Sequence, residues 1–212
     1  ALFHLNPLIC DERENDLMIA ITNGKIFTIT QGIIENGTIL IEDGKIKSIG
    51  VNIPIPDGAE VYDASGKVVM PGLIDAHCHI LPGIDDGSQS IEESLDFARK
   101  ALSQGIRAIF ATPHVMRGTY MTEPLEIRIL VNQVNERLKD EGIDLAVYPG
   151  AENYPDPGLP EDYKAGHLVS LGGTKNLLIE APSAEVPPLF ESLLFKVAIS
   201  GAIPVLGHPE RN

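Results

Sequence analysis

The chain has 212 residues, of which 43% are hydrophobic, so it can bury a core and is not expected to be disordered. Its 16 Lys and Arg against 30 Asp and Glu give a formal charge of −14, which disfavours binding to nucleic acid or to an anionic membrane. No apolar run reaches the roughly 18–20 residues that span a bilayer, and the N-terminus lacks a signal-peptide pattern. The two cysteines, Cys10 and Cys78, do not form a disulfide framework. We therefore expect a cytoplasmic protein with no membrane insertion, whose oligomeric state the sequence leaves open.

Residues 17–70 have the pattern of short strands joined by tight turns, after an N-terminal tail at 1–16. Runs of β-branched residues are separated by the pairs Asn23-Gly24, Asn36-Gly37, Asp43-Gly44 and Ser65-Gly66. Asn-Gly pairs favour a hairpin because both residues tolerate positive φ, so we predict a hairpin at Asn23-Gly24 and a turn at Asn36-Gly37. The pattern predicts a small antiparallel, β-sandwich-like module without a catalytic cluster.

From residue 71 the pattern changes to strands that alternate with helices. Apolar runs are found at 72–76, 106–111, 145–148, 177–179 and 203–206, with helical patterns at 90–104, 124–141 and 188–200. This alternation predicts an α/β fold with a parallel sheet, and a TIM-like (β/α) barrel is favoured because each run ends next to a His, Asp or Glu. Five βα units are fewer than the eight of a closed barrel. The chain also starts with Ala and stops directly after a motif, so we expect residues 71–212 to be a barrel whose C-terminal part is missing.

The strongest single motif is His77-Cys-His79. Residues i and i+2 of a strand point to the same side, so both imidazoles can bind one cation. Cys78 lies between them and is expected to point away into the core. Two unrelated polar residues at a strand end remain the alternative for this motif alone.

The later strand ends carry further candidate ligands. Taken individually, Asp86 can be a turn residue and His114 a hydrogen-bonded structural histidine. A carboxylate that ends an apolar run is costly unless a cation or hydrogen bonds compensate for its charge. Together the predicted metal ligands are His77, His79, Asp86, His114, Glu152, Glu180 and His208. Histidine and carboxylate ligands without thiolates suit Mn²⁺, Fe²⁺ or Zn²⁺.

A site with several cations suits phosphoester hydrolysis, because the cations polarise the phosphoryl group and generate hydroxide from water. Arg211 follows His208 closely and can hold a phosphate through two hydrogen bonds. The predicted catalytic residues are Asp86 and Arg211. Arg117 is a weaker candidate for the same role. His4 and His167 lack this setting and are expected at the surface.

Residues 73–212 resemble the bacterial manganese-dependent protein-tyrosine phosphatases of capsule and exopolysaccharide systems, which belong to the polymerase and histidinol phosphatase (PHP) superfamily. The matching stretches are Ile74-Asp-Ala-His-Cys-His-Ile-Leu-Pro-Gly-Ile-Asp-Asp-Gly87, Ala111-Thr-Pro-His114, Pro149-Gly-Ala-Glu152, Leu178-Ile-Glu180 and His208-Pro-Glu-Arg211. The resemblance implies a PHP/TIM-like barrel with up to three divalent cations, most simply Mn²⁺.

The same resemblance implies a distribution of ligands over three cations. One cation would be held by His77, His79 and Glu152, and a second by Glu152, Glu180 and His208, with Glu152 as the bridge. Asp86 and His114 would begin a third site. The family pattern then has a later Asp-x-His pair, and this sequence ends before it.

Residues 17–79 resemble the N-terminal part of the amidohydrolase superfamily, in which a small β-sandwich precedes the barrel and Pro71-Gly-Leu-Ile-Asp-Ala-His-Cys-His79 enters its first strand. The chain is therefore predicted to be composite.

The leading functional hypothesis is a protein-tyrosine phosphatase that uses metal-activated hydroxide. Its substrate would be a phosphotyrosine protein, such as a tyrosine kinase of polysaccharide export. The alternatives are an amidohydrolase that cleaves a small cyclic amide and an inactive, truncated barrel that only binds metal. Against the amidohydrolase, that family has a Lys or carboxylate after strand four, two separate histidines and then an aspartate.

Overall fold

The computed structural model describes residues 18–28, 32–181 and 188–211, with the side chain of Arg211 left out of that description. The predicted tail at 1–16, with His4 and Cys10, lies outside these ranges. The chain divides into two compact units, Ala1–Gly72 and Leu73–Asn212. Within the described ranges, no helix is long and apolar enough to cross a membrane.

The first unit is built on one five-stranded sheet with the order β3-β2-β1-β4, in which β5 also pairs with β1. The strands are β1 (Ile19–Phe27), β2 (Ile33–Glu42), β3 (Lys45–Gly50), β4 (Glu60–Asp63) and β5 (Val68–Val69). The predicted antiparallel module is confirmed in β1, β2 and β3, whereas β4 and β5 run parallel to β1. Its core is formed by Ile21, Ile26, Ile39, Ile41 and Ala64.

The two Asn-Gly pairs do not reverse the chain, so the predicted hairpin and turn at these positions are wrong. Gly24 pairs with Gly37 inside β1 and β2, and the register shifts on both sides of Gly24. Asn23 and Asn36 take the positive φ that the sequence predicts, but they use it for bulges within the strands. A Cβ on Gly37 would lie 2.5 Å from Ile26 Cδ1, so close packing explains this glycine. The turn between β2 and β3, at Asp43-Gly44, is confirmed.

The second unit alternates strands with helices and has two parallel sheets, of order β6-β7-β9 and β12-β11-β10-β8. The strands are β6 (Leu73–Cys78), β7 (Ile106–Ala111), β8 (His114–Val115), β9 (Ala146–Pro149), β10 (Glu152–Asn153), β11 (Asn176–Glu180) and β12 (Ile203–Gly207). The helices are α1 (Ile91–Ser103), α2 (Pro124–Asp140), α3 (Leu159–Ala165) and α4 (Phe190–Ile199). The predicted α/β fold with its barrel-type alternation is confirmed.

Local sequence explains where these helices begin. The Ser90 side chain accepts a hydrogen bond from the backbone N–H of Glu93 and starts α1, while the Glu93 carboxylate accepts from the N–H of Gln89. Pro124 occupies the first turn of α2, where its missing N–H is not needed. The apolar faces of α1 and α2 bury residues such as Leu95, Ile127, Val134 and Leu138 in the same core as Ile109 of β7. These contacts fix β6, β7 and β9, which lead into the segments with His77, His79, His114 and Glu152.

Candidate metal centre

The candidate ligands are collected at the carboxyl ends of the parallel strands. His77 lies in β6 and His79 directly follows it, while Glu180 is the last residue of β11 and His208 follows β12. The second and third predicted strands are each interrupted, at Thr112-Pro113 and at Gly150-Ala151. His114 and Glu152 therefore open the short strands β8 and β10, where they are register partners.

The Glu152 carboxylate lies at the centre of the histidines. Its side chain has no exposed surface, and its Oε2 atom lies 3.1 Å from His77 Nε2, 3.3 Å from His79 Nε2 and 3.1 Å from His114 Nδ1. Its other oxygen, Oε1, lies 3.6 Å from His208 Nε2. A Cβ on Gly207 would approach Oε1 to 2.9 Å, so the glycine before His208 leaves the space that this carboxylate occupies.

The other acidic candidates lie farther out. Glu180 Oε2 is 3.9 Å from His114 Nδ1. Asp86 has a side chain that is 65% exposed, and its Oδ1 lies 3.7 Å from His114 Nε2 and 3.8 Å from His79 Nδ1. Among the described residues there are three groups in which the potential ligand atoms all lie within 4.8 Å of one another. They are His77, His79 and Glu152; His79, Asp86 and His114; and His114, Glu152 and Glu180.

The first of these groups is the one that the sequence resemblance implies for the first cation. In the third group, Glu180 stands with His114, whereas the resemblance places it with His208. His208 remains on the Oε1 side of Glu152. It has a φ of 52°, a left-handed conformation that non-glycine residues adopt at a cost and that occurs preferentially at functional sites.

The protonation equilibria of the cluster are strongly coupled. Burial alone would raise the pKa of Glu152, but His77 and His79 outweigh this effect and lower it to about 2. Burial would likewise lower the pKa of His79, but Asp85 and Glu152 raise it to about 9. Without a cation, the buried Glu152 carboxylate and the protonated His79 imidazole therefore stabilise each other.

The donor set can hold a divalent cation. Both oxygens of Glu152 are buried and have no partner in hydrogen-bonding geometry among the described residues, although four imidazole nitrogens surround them. His77 Nε2 and His79 Nε2 lie only 3.4 Å apart on the same side of Oε2. Lone pairs that converge in this way need a shared positive charge, and imidazole with carboxylate is a donor set for Mn²⁺, Fe²⁺ or Zn²⁺.

The family model described as "Capsular polysaccharide synthesis, CpsB/CapC" matches residues 73–212, which include every candidate ligand and Arg211. The chain belongs to the CpsB/CapC family. It is 45% identical over 140 residues to the tyrosine-protein phosphatase YwqE of Bacillus subtilis, which is 66% of this chain and 55% of YwqE.

A solved structure supports the same relation for the CpsB/CapC unit, residues 73–212. It comes from the crystal structures of YwqE from Bacillus subtilis and CpsB from Streptococcus pneumoniae, described as metal-dependent tyrosine phosphatases. The match has a TM-score of 0.64 and 45% identity, and it covers 66% of this chain and 57% of that chain.

The first unit has relatives of another kind. A dihydroorotase of Geobacter sulfurreducens is 28% identical over 197 residues, which is 91% of this chain and 42% of the dihydroorotase. This match is too long to lie within the CpsB/CapC unit alone, so the N-terminal region is dihydroorotase-like, as the amidohydrolase resemblance predicts. The chain spans about half of the length of these curated relatives.

Several residues of the CpsB/CapC unit make contacts that the sequence does not predict. Arg117 donates a hydrogen bond to Asp162 at 2.5 Å, and its role in phosphate binding stays a prediction. Tyr120 was not predicted, and its ring stacks on that of His114 with centroids 5.5 Å apart. Asp85 was passed over for Asp86, although its side chain is buried against His79. In the sequence, Asp85 is marked only as the first residue of Asp85-Asp86-Gly87. This pattern does not show which of the two carboxylates points inward.

The remaining sequence expectations concern residues outside the cluster. Cys78 is buried in the core with Ile80 and Ile109, as predicted, and burial raises the pKa of its thiol to about 12. The side chain of His167 is 71% exposed, which confirms its place at the surface. The catalytic role predicted for Arg211 stays a prediction.

Proposed function

We propose that the CpsB/CapC unit belongs to a metal-dependent phosphoester hydrolase that acts on phosphotyrosine proteins. The observation that carries this proposal is the buried Glu152 carboxylate, which faces four imidazoles and has no hydrogen bond among the described residues. The 45% identity between residues of this chain and YwqE supports phosphotyrosine as the substrate class. A tyrosine kinase of polysaccharide export is the partner proposed from the family relation.

The two oxygens of Glu152 favour a bridging role between cations. Oε2 contacts both His77 and His79, the proposed partners of Glu152 in the first cation site, and Oε1 faces His208. We assign His208 and Glu180 to a second cation, and Asp86 with His114 to a third, with Mn²⁺ as the metal and Fe²⁺ or Zn²⁺ as alternatives. Up to three cations are proposed.

Cations bound here would polarise the phosphoryl oxygens and provide a nucleophile from water at neutral pH. The chain's own residues then orient the substrate. Asp86 is exposed beside His114 and can meet an incoming group, and Arg211 is proposed to bind the phosphate through its planar guanidinium.

Two tyrosines near candidate ligands, one in space and one in sequence, favour an aryl phosphate. Tyr120 stacks on His114, and the Tyr154 N–H donates to the carbonyl of Val115, which continues the pairing of β10 with β8. Tyr154 directly follows β10, two residues after Glu152. Tyr154 is 44% exposed, and we propose that its ring contacts the ring of a bound phosphotyrosine.

Elemental analysis tests the metal centre. Protein purified without chelator should contain at least one equivalent of a transition metal, with manganese or iron as the expected element. Less than a few tenths of an equivalent of any transition metal would remove the basis of the proposal.

A substrate comparison tests the reaction. With added Mn²⁺, the protein should hydrolyse phosphotyrosine peptides and leave dihydroorotate and hydantoins unchanged, and Glu152→Gln should abolish the activity. The dihydroorotase-like N-terminal region favours cyclic-amide hydrolysis as the second candidate, and hydrolysis of a cyclic amide without phosphatase activity would establish it instead. Stoichiometric metal with neither activity would identify an inactive metal-binding barrel.

A further inference from the structure

Asp85 is buried between two of the candidate ligands. It lies in the loop between β6 and α1, and its side chain has no exposed surface, whereas that of its neighbour Asp86 is 65% exposed. The Asp85 carboxylate lies 2.6 Å from His79 Nδ1 and accepts hydrogen bonds from the backbone N–H groups of His114 and Gly87, both at 2.9 Å.

The bond to Nδ1 determines which nitrogen of His79 can bind a cation. A carboxylate only accepts hydrogen bonds, so it holds a proton on Nδ1 and turns Nε2 towards Glu152, 3.3 Å away. Histidines that bind metals commonly donate their second ring N–H to a carboxylate in this way, and the partner fixes the orientation of the ring.

The same carboxylate also sets the backbone around a second ligand. Asp85 Oδ2 accepts from the N–H of His114 as well as contacting His79, so it connects the loop after β6 with the first residue of β8. Asp85 Oδ1 closes the loop at Gly87, where a Cβ would lie 2.2 Å from the carbonyl oxygen of His79. The loop can pack directly on His79 because Gly87 has no side chain.

We propose that Asp85 is a positioning residue that orients His79 and His114 for cation binding, an inference that rests on the proposed metal centre. Among the described residues Asp85 belongs to none of the groups of convergent ligand atoms, and its two oxygens contact the His79 ring and two backbone N–H groups instead.

The variant Asp85→Asn tests this role with little change of shape. Its amide oxygen can still accept from Gly87, but its NH₂ group would face His79 Nδ1 and require an acceptor there. The ring would then carry its proton on Nε2, the nitrogen that faces Glu152. Removal of such a hydrogen-bonding partner typically weakens metal binding about 10- to 100-fold, and we expect Mn²⁺ affinity to fall within that range.

Ser94→Ala is the matched control. Ser94 is fully buried and donates to the carbonyl of Ile80 at 2.6 Å, so its loss disturbs the segment directly after His79 without touching the ring. Ser94→Ala should lower the melting temperature and leave the affinity for Mn²⁺ unchanged. Affinity is measured by titration with Mn²⁺, using electron paramagnetic resonance to follow the free ion.

A second measurement reports on the ring itself and needs no Asp85 variant. In ¹H–¹⁵N spectra of the Zn²⁺-loaded wild type, His79 should show a low-field Nδ1–H signal, assigned by its loss in His79→Gln. Absence of that signal would overturn the inference, as would wild-type Mn²⁺ affinity in folded Asp85→Asn or an equal loss in Ser94→Ala. Failure of the wild type to bind either metal would instead remove the proposed metal centre and this inference with it.

Discussion

Glu152→Gln is the most informative substitution in the CpsB/CapC unit. It keeps the size and hydrogen-bonding length of the side chain and removes the charge that lies between four imidazoles. If Glu152 bridges two cations, an amide cannot replace it, because one neutral oxygen would have to offset the charge of two dications. Metal content should therefore fall by at least one equivalent.

The structure also gives the magnitude expected for the metal-free protein. The pKa of Glu152 is lowered from its ordinary value of 4.5 to about 2, despite the opposing effect of burial, by its contacts with His77 and His79. At about 1.4 kcal/mol per pKa unit, this difference corresponds to roughly 3 kcal/mol in the free energy of unfolding. Because the pKa is lowered on folding, the contribution is fully present above about pH 4.5 and is lost as the pH falls towards 2. At neutral pH, Glu152→Gln should lose most of it.

Two assays separate these effects. Metal stoichiometry is measured after equilibrium dialysis, and the free energy of unfolding is measured by urea denaturation in the presence of a chelator. Asp96→Asn is the control, since it makes the same change of charge at an exposed side chain paired with Arg99. If Glu152→Gln retains the wild-type metal stoichiometry, the bridging assignment is wrong. If its stability without metal equals that of Asp96→Asn, the coupling between Glu152 and the histidines is wrong as well.

Three further perturbations examine the same site. Gly207→Ala should lower the metal content, because the added Cβ would lie 2.9 Å from Glu152 Oε1. Gly50→Ala is the control, since its Cβ would have its nearest neighbour 3.8 Å away. Equal metal content in both variants would contradict this packing argument. Because its pKa is about 9, His79 must release a proton to bind a cation through Nε2. The affinity for Mn²⁺ should therefore rise about tenfold per pH unit below pH 9. An affinity that does not change with pH would exclude this proton release. Arg211→Ala should weaken inhibition by inorganic phosphate more than Arg211→Lys, which keeps the charge but loses the two-pronged geometry, and equal inhibition constants would argue against phosphate binding by Arg211.

The helices and strands of the CpsB/CapC unit were predictable where periodicity and capping residues agree. Ser90 marks the start of α1 and Pro124 that of α2, and both helices have the predicted extent to within one residue at each end. The short helix α3 was missed because its seven residues are too few to show a period of 3.6. Its signals were local: acidic residues in the first turn and Gly166, which ends the helix with a φ of 76°.

The Asn-Gly pairs show why local preference could not give the strand connections of the first unit. Asn23 adopts positive φ in the structure, and that preference is all that the dipeptide encodes. Whether the chain reverses there depends on what lies across the sheet, and Gly24 lies opposite Gly37. Two such pairs in register accommodate each other as bulges, whereas Asp43-Gly44 connects two strands as a hairpin turn.

The site was predictable in composition but not in internal geometry. Each strand end that carries a His, Asp or Glu was recognisable as a source of ligands, because parallel strands meet at one edge. The sequence contains no information on which of two adjacent carboxylates turns inward, and Asp85 is buried while Asp86 is exposed. The Tyr120–His114 contact likewise depends on the loop after β8, in which Met116 and Tyr120 pair through their backbones.

The choice between the two related enzyme classes depends on which strand provides the central acidic residue. The amidohydrolase pattern has a Lys or carboxylate after strand four, followed by two separate histidines. Here the fourth strand, β11, ends in Glu180, whose carboxylate is 3.9 Å from His114, while Glu152 of the third strand contacts the same nitrogen at 3.1 Å. Glu152 also faces His208, which alone among the described residues presents an imidazole after β11. In an amidohydrolase centre, the residue at the end of the fourth strand, here Glu180, would have to take the central position among the histidines. Glu152 takes that position instead, in the space that Gly207 leaves beside its Oε1 atom.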